Sequence, residues 1–180
     1  MESKKNQFLS FSWRVTSLHM IAYLIAGMLA LIFLDYENFF ATGSLAQLMK
    51  PTNSPIVAFG PFLQIILGFA MSIFLYPFRS VFIGQKRGWF YLFILIAGFC
   101  IFTPQVPGPG NFEGVIYTNI SIQQHLLSLP ETILYSILFS VFLPLWIKYP
   151  KKIWTILSMI AVFLIFVMGV LGYLAAIGKI

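Results

Sequence analysis

Residues 103–131 read TPQVPGPGNFEGVIYTNISIQQHLLSLPE, and they form the one long stretch of the chain that is polar enough to lie in water. Prolines 104, 107 and 109 restrict the backbone angle φ there, whereas the glycines allow conformations that other residues avoid. The chain on either side consists of apolar runs of membrane-spanning length. We therefore predict a structured loop over residues 104–128, on the outer side of a membrane-embedded helix bundle.

The composition predicts an all-α integral membrane protein. Hydrophobic residues make up 59% of the 180 residues and charged residues only 9%, whereas a soluble domain has about a quarter charged residues. A soluble fold of this size could not cover so much apolar surface. The formal net charge is +6, but the basic residues lie in short clusters between apolar runs. That pattern is typical of a membrane protein and argues against a nucleic-acid partner.

Five apolar runs predict a single domain, residues 1–180, built as a five-helix bundle. The expected spans are about 15–34, 56–78, 85–103, 129–147 and 153–177. A helix of about 20 residues rises about 30 Å, which is the thickness of the hydrocarbon layer. The third run is short, so we expect its helix to begin before Trp89, with Lys86 and Arg87 reaching the interface from its first turn.

The basic residues predict the orientation of the bundle. Nine of the 11 Lys and Arg residues fall on the side of the N-terminus, namely Lys4, Lys5, Arg14, Arg79, Lys86, Arg87, Lys148, Lys151 and Lys152. Only Lys50 and Lys179 fall on the other side. Since positive residues favour the cytoplasmic side, we expect a multi-pass protein of the cell inner (plasma) membrane. Its N-terminus would lie inside, and its C-terminus and long loop outside.

Several local features predict finer structure. A short interfacial helix is expected over about 39–49. Ser128 and Glu131 match an S-x-x-E capping box and predict that the fourth span begins there. Cys100, the single cysteine, is expected to be a buried and inert thiol. His19, placed about one turn into the first span, is expected to bond to Tyr23 four residues later.

Two spans carry small or polar residues at every fourth position, which places them on one helix face. These are Gly60, Gln64, Gly68 and Ser72 in the second span, and Thr132, Ser136, Ser140 and Pro144 in the fourth. We predict that both faces point into the bundle. They serve either close helix packing or a cavity that opens toward the outer loop, with Gln64 as its polar floor. The second interpretation makes Gln64, Ser72, Tyr117, Thr132 and Ser136 ligand-binding residues.

The outer loop and its junction with the fourth span carry the candidate catalytic residues Glu113, His125 and Glu131. A carboxylate beside an imidazole can act as acid and base, and such groups can also hold a divalent cation. A simpler interpretation makes Glu131 a helix cap, His125 an interfacial polar group and Glu113 a solvated turn residue. Their spacing matches no metal or nucleophile signature, so no metal site and no cofactor is predicted.

The leading functional hypothesis is a non-enzymatic protein that binds membrane lipid or another apolar ligand. It would act as an accessory subunit beside other membrane proteins or its own copies, or as a passive carrier. One alternative is a membrane-embedded enzyme that acts on a lipid-linked substrate at the outer leaflet, and another is an oligomeric channel. The predicted spans lack Asp, Glu, Lys and Arg near their middle, which argues against an ion-driven transporter.

Overall fold

The computed structural model describes residues 4–102 and 106–180, and all regular structure within these ranges is helical. In chain order the helices are α1 Lys4–Phe33, α2 Tyr36–Ala41, α3 Leu45–Leu48, α4 Pro55–Leu75, α5 Arg79–Phe82, α6 Gly88–Ile101, α7 Phe112–Tyr117, α8 Ile122–Lys148 and α9 Lys152–Ala176. Four of them, α1, α4, α8 and α9, are long and apolar enough to cross a membrane. The predicted all-α class with membrane-length helices is therefore confirmed.

The third predicted span corresponds to α6, which has only 14 residues. It rises about 21 Å, less than the hydrocarbon layer of about 30 Å. The helix starts one residue before Trp89, and Arg87 occupies its N-cap position. Lys86 and Arg87 therefore precede the helix and do not lie in its first turn, contrary to the prediction.

Helix α1 is the centre of the bundle. It packs against α4 on one side and against α8 on another, while α9 packs on both α4 and α1, and α6 packs on α8. Residues 15–20 of α1 are all buried, so this helix is covered around most of its circumference. A helix that is surrounded in this way needs small or apolar side chains on every face.

Contacts between the long helices define the two ends of the bundle. Ala58 of α4 lies against Gly172 of α9, so α4 starts where α9 ends. Ala30 of α1 and Leu127 of α8 belong to one apolar cluster, so α1 ends where α8 starts. We call this the loop end, which carries residues 34–54, 106–121 and 177–180. The opposite, basic end carries the start of α1 and residues 76–87 and 149–151.

Helix α8 begins seven residues before the predicted position 129, at Ile122. Its capping box is formed by Ser121 and Gln124: the Gln124 N–H donates to Ser121 Oγ at 3.2 Å, and the Ser121 N–H donates to Gln124 Oε1 at 3.3 Å. The predicted box at Ser128 and Glu131 is wrong, because the helix continues through Pro130. The segment before α8 therefore ends at Ser121 and not at the predicted residue 128, while positions 104 and 105 of the predicted loop lie outside the described residues.

The connection between α1 and α4 holds two short helices, α2 and α3, where a single one over 39–49 was predicted. Gly43 interrupts the helix with φ of 61°, a left-handed conformation that glycine adopts at little cost. The break turns Leu45 inward, where it is completely buried against Phe39 and Ile120. The two helices therefore replace the one continuous interfacial helix that was predicted.

Candidate functional site

A polar cluster of His19, Gln64 and Tyr135 lies where α1, α4 and α8 meet. The imidazole Nδ1 is 2.6 Å from the Tyr135 hydroxyl, and Nε2 is 3.1 Å from Gln64 Oε1. The amide oxygen of Gln64 only accepts, so Nε2 carries the proton, and in the neutral imidazole Nδ1 accepts from the tyrosine O–H. Both imidazole nitrogens, the tyrosine hydroxyl and the amide oxygen of Gln64 are thus paired inside an apolar bundle, where an unpaired polar group would be costly.

His19 itself lies deeper than predicted, since it is residue 16 of the 30 in α1. The helix begins at Lys4, 11 residues before the predicted span, and Ser12 and Thr16 of its first half are buried in the bundle. The rings of His19 and Tyr23 are 6.3 Å apart, but the imidazole bonds to the other two helices. The predicted hydrogen bond to Tyr23 is therefore replaced by interhelical ones.

Three of the four residues in the stripe on α4, all but Gly60, face the interior as predicted and pack directly on α1. Ser72 is fully buried and its Oγ donates to Ser12 Oγ at 2.9 Å. A Cβ atom at Gly68 would lie 2.8 Å from the Thr16 Cα, so the two backbones approach closely. This geometry matches the packing interpretation of the stripe.

The corresponding residues of α8 are also inside the bundle. Ser136 and Ser140 are fully buried, and Ser136 Oγ donates to the Thr132 carbonyl at 2.7 Å. Tyr117, on the short α7, is 69% exposed. The five predicted ligand-binding residues line neither of the two cavities described below, and their role in binding stays a prediction.

The predicted catalytic residues have separate surroundings. His125 is buried and its Nδ1 accepts from the Gly110 N–H at 3.1 Å. Glu131 lies nine residues into α8, and its Oε1 is 3.5 Å from the position of a Cβ atom at Gly27 of α1. Glu113 lies half-buried in the first turn of α7. Among residues 4–102 and 106–180 there is no group of three His, Cys, Asp or Glu that could hold a metal ion.

Residues 106–121 are fastened to the start of α8 through His125 and through tight glycine packing. The side chain of Asn111 caps α7 by accepting from the Gly114 N–H at 2.7 Å, and it also accepts from the Gly108 N–H at 3.2 Å. A Cβ atom at Gly114 would lie 1.9 Å from the Gly108 carbonyl oxygen. Residues 106–121 therefore have a defined structure in which His125 is an anchoring residue.

Cys100 is exposed on α6, contrary to the prediction of a buried thiol. Helix α6 packs on the long helix α8. Much of the circumference of α6 is therefore left uncovered by protein. An apolar run does not reveal which of its faces is covered by protein and which by lipid.

A deep apolar groove runs between α1, α8 and α9, with a cavity volume of about 590 Å³. Its walls are aliphatic and aromatic side chains, chiefly Leu18, Ala22 and Ile25 of α1, Leu138, Phe142 and Trp146 of α8, and Trp154, Leu157 and Ala161 of α9. Tyr149 and Lys151, from the connection between α8 and α9, line its mouth at the basic end. Among the described residues, Lys151 is the one charged member of this lining.

Tryptophans stabilise the walls of the groove. The indole N–H of Trp13 donates to Ser158 Oγ at 3.1 Å and joins α1 to α9. The guanidinium of Arg14 lies 6.0 Å from the ring centre of Trp146, within the range of a cation–π interaction. Trp, Tyr and Lys side chains together are typical of the membrane–water interface. The mouth of the groove therefore has the composition of an interfacial region.

A second cavity, of about 400 Å³, lies at the loop end between the two connections. Its lining is neutral and mostly polar, and includes Thr42, Ser44, Asn119, Gln123 and Gln124. Ser44 Oγ donates to the Asn119 carbonyl at 2.7 Å, which links the first connection to the outer loop.

The groove was not predicted from the sequence. A usable signal was present, because Trp146, Tyr149, Lys151 and Trp154 all fall within nine residues at the junction of two apolar runs. Such a cluster indicates an interface. It does not indicate that α1 closes the third side, since helix neighbours are not encoded in the spacing along one helix.

Fold and site together define a class of protein: an all-helical bundle with four helices long and apolar enough to cross a membrane, and an apolar groove between three of them. Comparisons of the chain with protein-family models, with curated proteins and with solved structures give no match.

Proposed function

We propose that the protein binds membrane lipid non-enzymatically, with an acyl chain lying in the groove between α1, α8 and α9. The single observation that carries this proposal is the groove itself, whose volume of about 590 Å³ falls in the range of small-molecule sites, about 300–1,000 Å³. Apart from Lys151, the described residues of its lining carry no charge that could bind a polar substrate. An acyl chain satisfies such walls with dispersion contacts alone.

Lipid tails are as apolar as leucine, so leaving the bulk bilayer gives a lipid little hydrophobic gain. The free energy of binding in this groove must therefore come from the fit of the acyl chain to its shape and from the rigidity of its walls. The large rings of Phe142, Trp146 and Trp154 supply extensive contact area. We expect a bound lipid that exchanges more slowly than the surrounding lipids, in an accessory subunit or a passive carrier.

The proposal includes a five-crossing topology in the cell inner (plasma) membrane, with the basic end in the cytoplasm. Support comes from Arg79, Lys86, Arg87 and the three lysines 148, 151 and 152, which all lie at the basic end. Helix α6 serves as the fifth crossing, in a bilayer that is thinned locally around this short helix. The outer loop then lies on the extracytoplasmic side.

Filling the groove tests the function. Ala161 lines it from α9, so Ala161→Phe should remove the lipid that co-purifies with the protein, counted by native mass spectrometry. The matched control is Leu164→Phe on the same helix, at a side chain that is 52% exposed outside the groove. Equal lipid occupancy in both variants would overturn the proposal.

A second measurement uses the unaltered protein. Phospholipids that carry a photoreactive group on the acyl chain are reconstituted with it, and the crosslinked residues are mapped by mass spectrometry. We expect crosslinks concentrated on groove residues such as Phe142 and Leu157. Labelling of Ile66 and Leu164, on outward surfaces, at the same level as the groove would contradict a bound lipid.

A further inference from the structure

The mouth of the groove is formed by the connection between α8 and α9, with the sequence Lys148-Tyr-Pro-Lys-Lys152. The turn is tight, since the Lys151 N–H donates to the Tyr149 carbonyl at 2.8 Å and the Trp154 N–H donates to the Lys151 carbonyl at 3.1 Å. The amino group of Lys148 lies 5.2 Å from the Tyr149 ring centre. Three exposed lysines are thus held within one short turn.

Positive charge is concentrated at this mouth. Lys151 is the N-cap of α9, Lys152 is its first residue, and the first turn holds no acidic residue. The positive end of the α9 dipole adds to these two charges, whereas Lys148 lies in the last turn of α8 and complements the negative end of that helix. Like charges so close together disfavour one another, and an anion at the mouth would relieve this repulsion.

The position of Lys151 connects the charge of the three lysines to the groove. Lys151 lines the same cavity as Trp146 and Trp154, so a group bound by its ammonium lies directly above the apolar walls. A glycerophospholipid has this arrangement, with a phosphate at the interface and acyl chains below it. A zwitterionic head group also carries a cation, which the three lysines repel, whereas an anionic head group does not.

We propose that the groove selects an anionic glycerophospholipid of the cytoplasmic leaflet, whose phosphate is bound by Lys151 with Lys148 and Lys152 beside it. This inference rests on the proposed function, because it assigns a head group to the lipid whose chain occupies the groove. The acyl chain extends from Trp146 toward Ala161. The lysines of the turn select the head group, and the apolar walls of the groove retain the acyl chain.

The experiment reconstitutes the full chain in an equal mixture of phosphatidylglycerol and phosphatidylcholine and identifies the retained lipid by native mass spectrometry. One interfacial cation is worth about 1 kcal/mol toward an anionic lipid, which corresponds to about a fivefold change in ratio. We expect the unaltered protein to enrich phosphatidylglycerol, and Lys151→Gln to reduce the enrichment about fivefold.

Lys86→Gln is the matched control, since Lys86 lies at the same end of the bundle but outside the groove lining. An equal loss of selectivity in this control would show a general surface-charge effect and overturn the proposed head-group site. Equal retention of both lipids by the unaltered protein would also overturn it, while leaving the proposed function intact. No retained lipid at all would overturn the proposed function itself.

Discussion

The imidazole Nδ1 of His19 and the hydroxyl of Tyr135 lie 2.6 Å apart, which joins α1 to α8 at the middle of α1. The other imidazole nitrogen bonds to Gln64, so one side chain connects three helices. Both histidine nitrogens are occupied in this arrangement. His19 is thus a structural centre of the bundle, and its replacement should lower the free energy of unfolding.

Removal of the Tyr135 hydroxyl should destabilise the protein. Interhelical hydrogen bonds in membranes contribute about 0.6 kcal/mol on average and at most about 1.7 kcal/mol, and Tyr135→Phe also leaves Nδ1 without its donor. We expect a loss of about 1–2 kcal/mol, measured by reversible unfolding of the purified protein in mixed micelles. Tyr173→Phe, at a tyrosine that is 42% exposed, is the control. Equal unfolding free energies for the two variants would contradict the structural role.

The close approach of α1 and α4 depends on Gly68. An added methyl group would lie 2.8 Å from the Thr16 Cα and 3.2 Å from His19 Cδ2, so the helices must separate. We expect Gly68→Ala to cost about 1–3 kcal/mol, as overpacking typically does. Gly60, two stripe positions away on the same helix, has nothing within 4 Å of its added methyl. Gly60→Ala should be neutral or slightly stabilising, and a comparable loss there would refute the packing argument.

His125 should hold the outer loop against α8. His125→Ala removes the acceptor of the Gly110 N–H, so amide hydrogen exchange over 106–118 should accelerate while exchange in α4 and α9 stays unchanged. Hydrogen-exchange mass spectrometry measures both regions in one experiment. Tyr117→Ala, at a residue that is 69% exposed, should leave the loop protected. Faster exchange over 106–118 in the control, or unchanged exchange over these residues in His125→Ala, would rule out the anchoring role.

The topology can be tested with single cysteines in a Cys100→Ser background, which is needed because Cys100 is exposed. Tyr117→Cys reports on the outer loop, and Lys86→Cys on the basic end. With a membrane-impermeant maleimide on intact cells, we expect labelling at position 117 alone, and at position 86 only after permeabilisation. Labelling of both positions from one side would exclude the five-crossing arrangement.

Much of the fold follows from apolar run length. The helices around His19, Gln64, Ser136 and Ile165 coincide with predicted spans, since about 20 apolar residues have few stable alternatives in a bilayer. The predicted start of α8 was wrong because the sequence offers two possible N-cap residues, Ser121 and Ser128. The loop decides between them by packing Gly110 against the first turns of α8, and local sequence does not contain that contact.

The sequence by itself determined the all-helical class, four of its five predicted spans as membrane-length helices, and the inward direction of the stripes through Gly68 and Ser136. Each of these depends on hydrophobicity and periodicity within a single helix. Only the tertiary structure decided that α1 lies at the centre, that His19 bonds to two other helices and that Trp146 and Trp154 face a common groove. The physical reason is that helix neighbours are chosen by the fit of side chains from different parts of the chain.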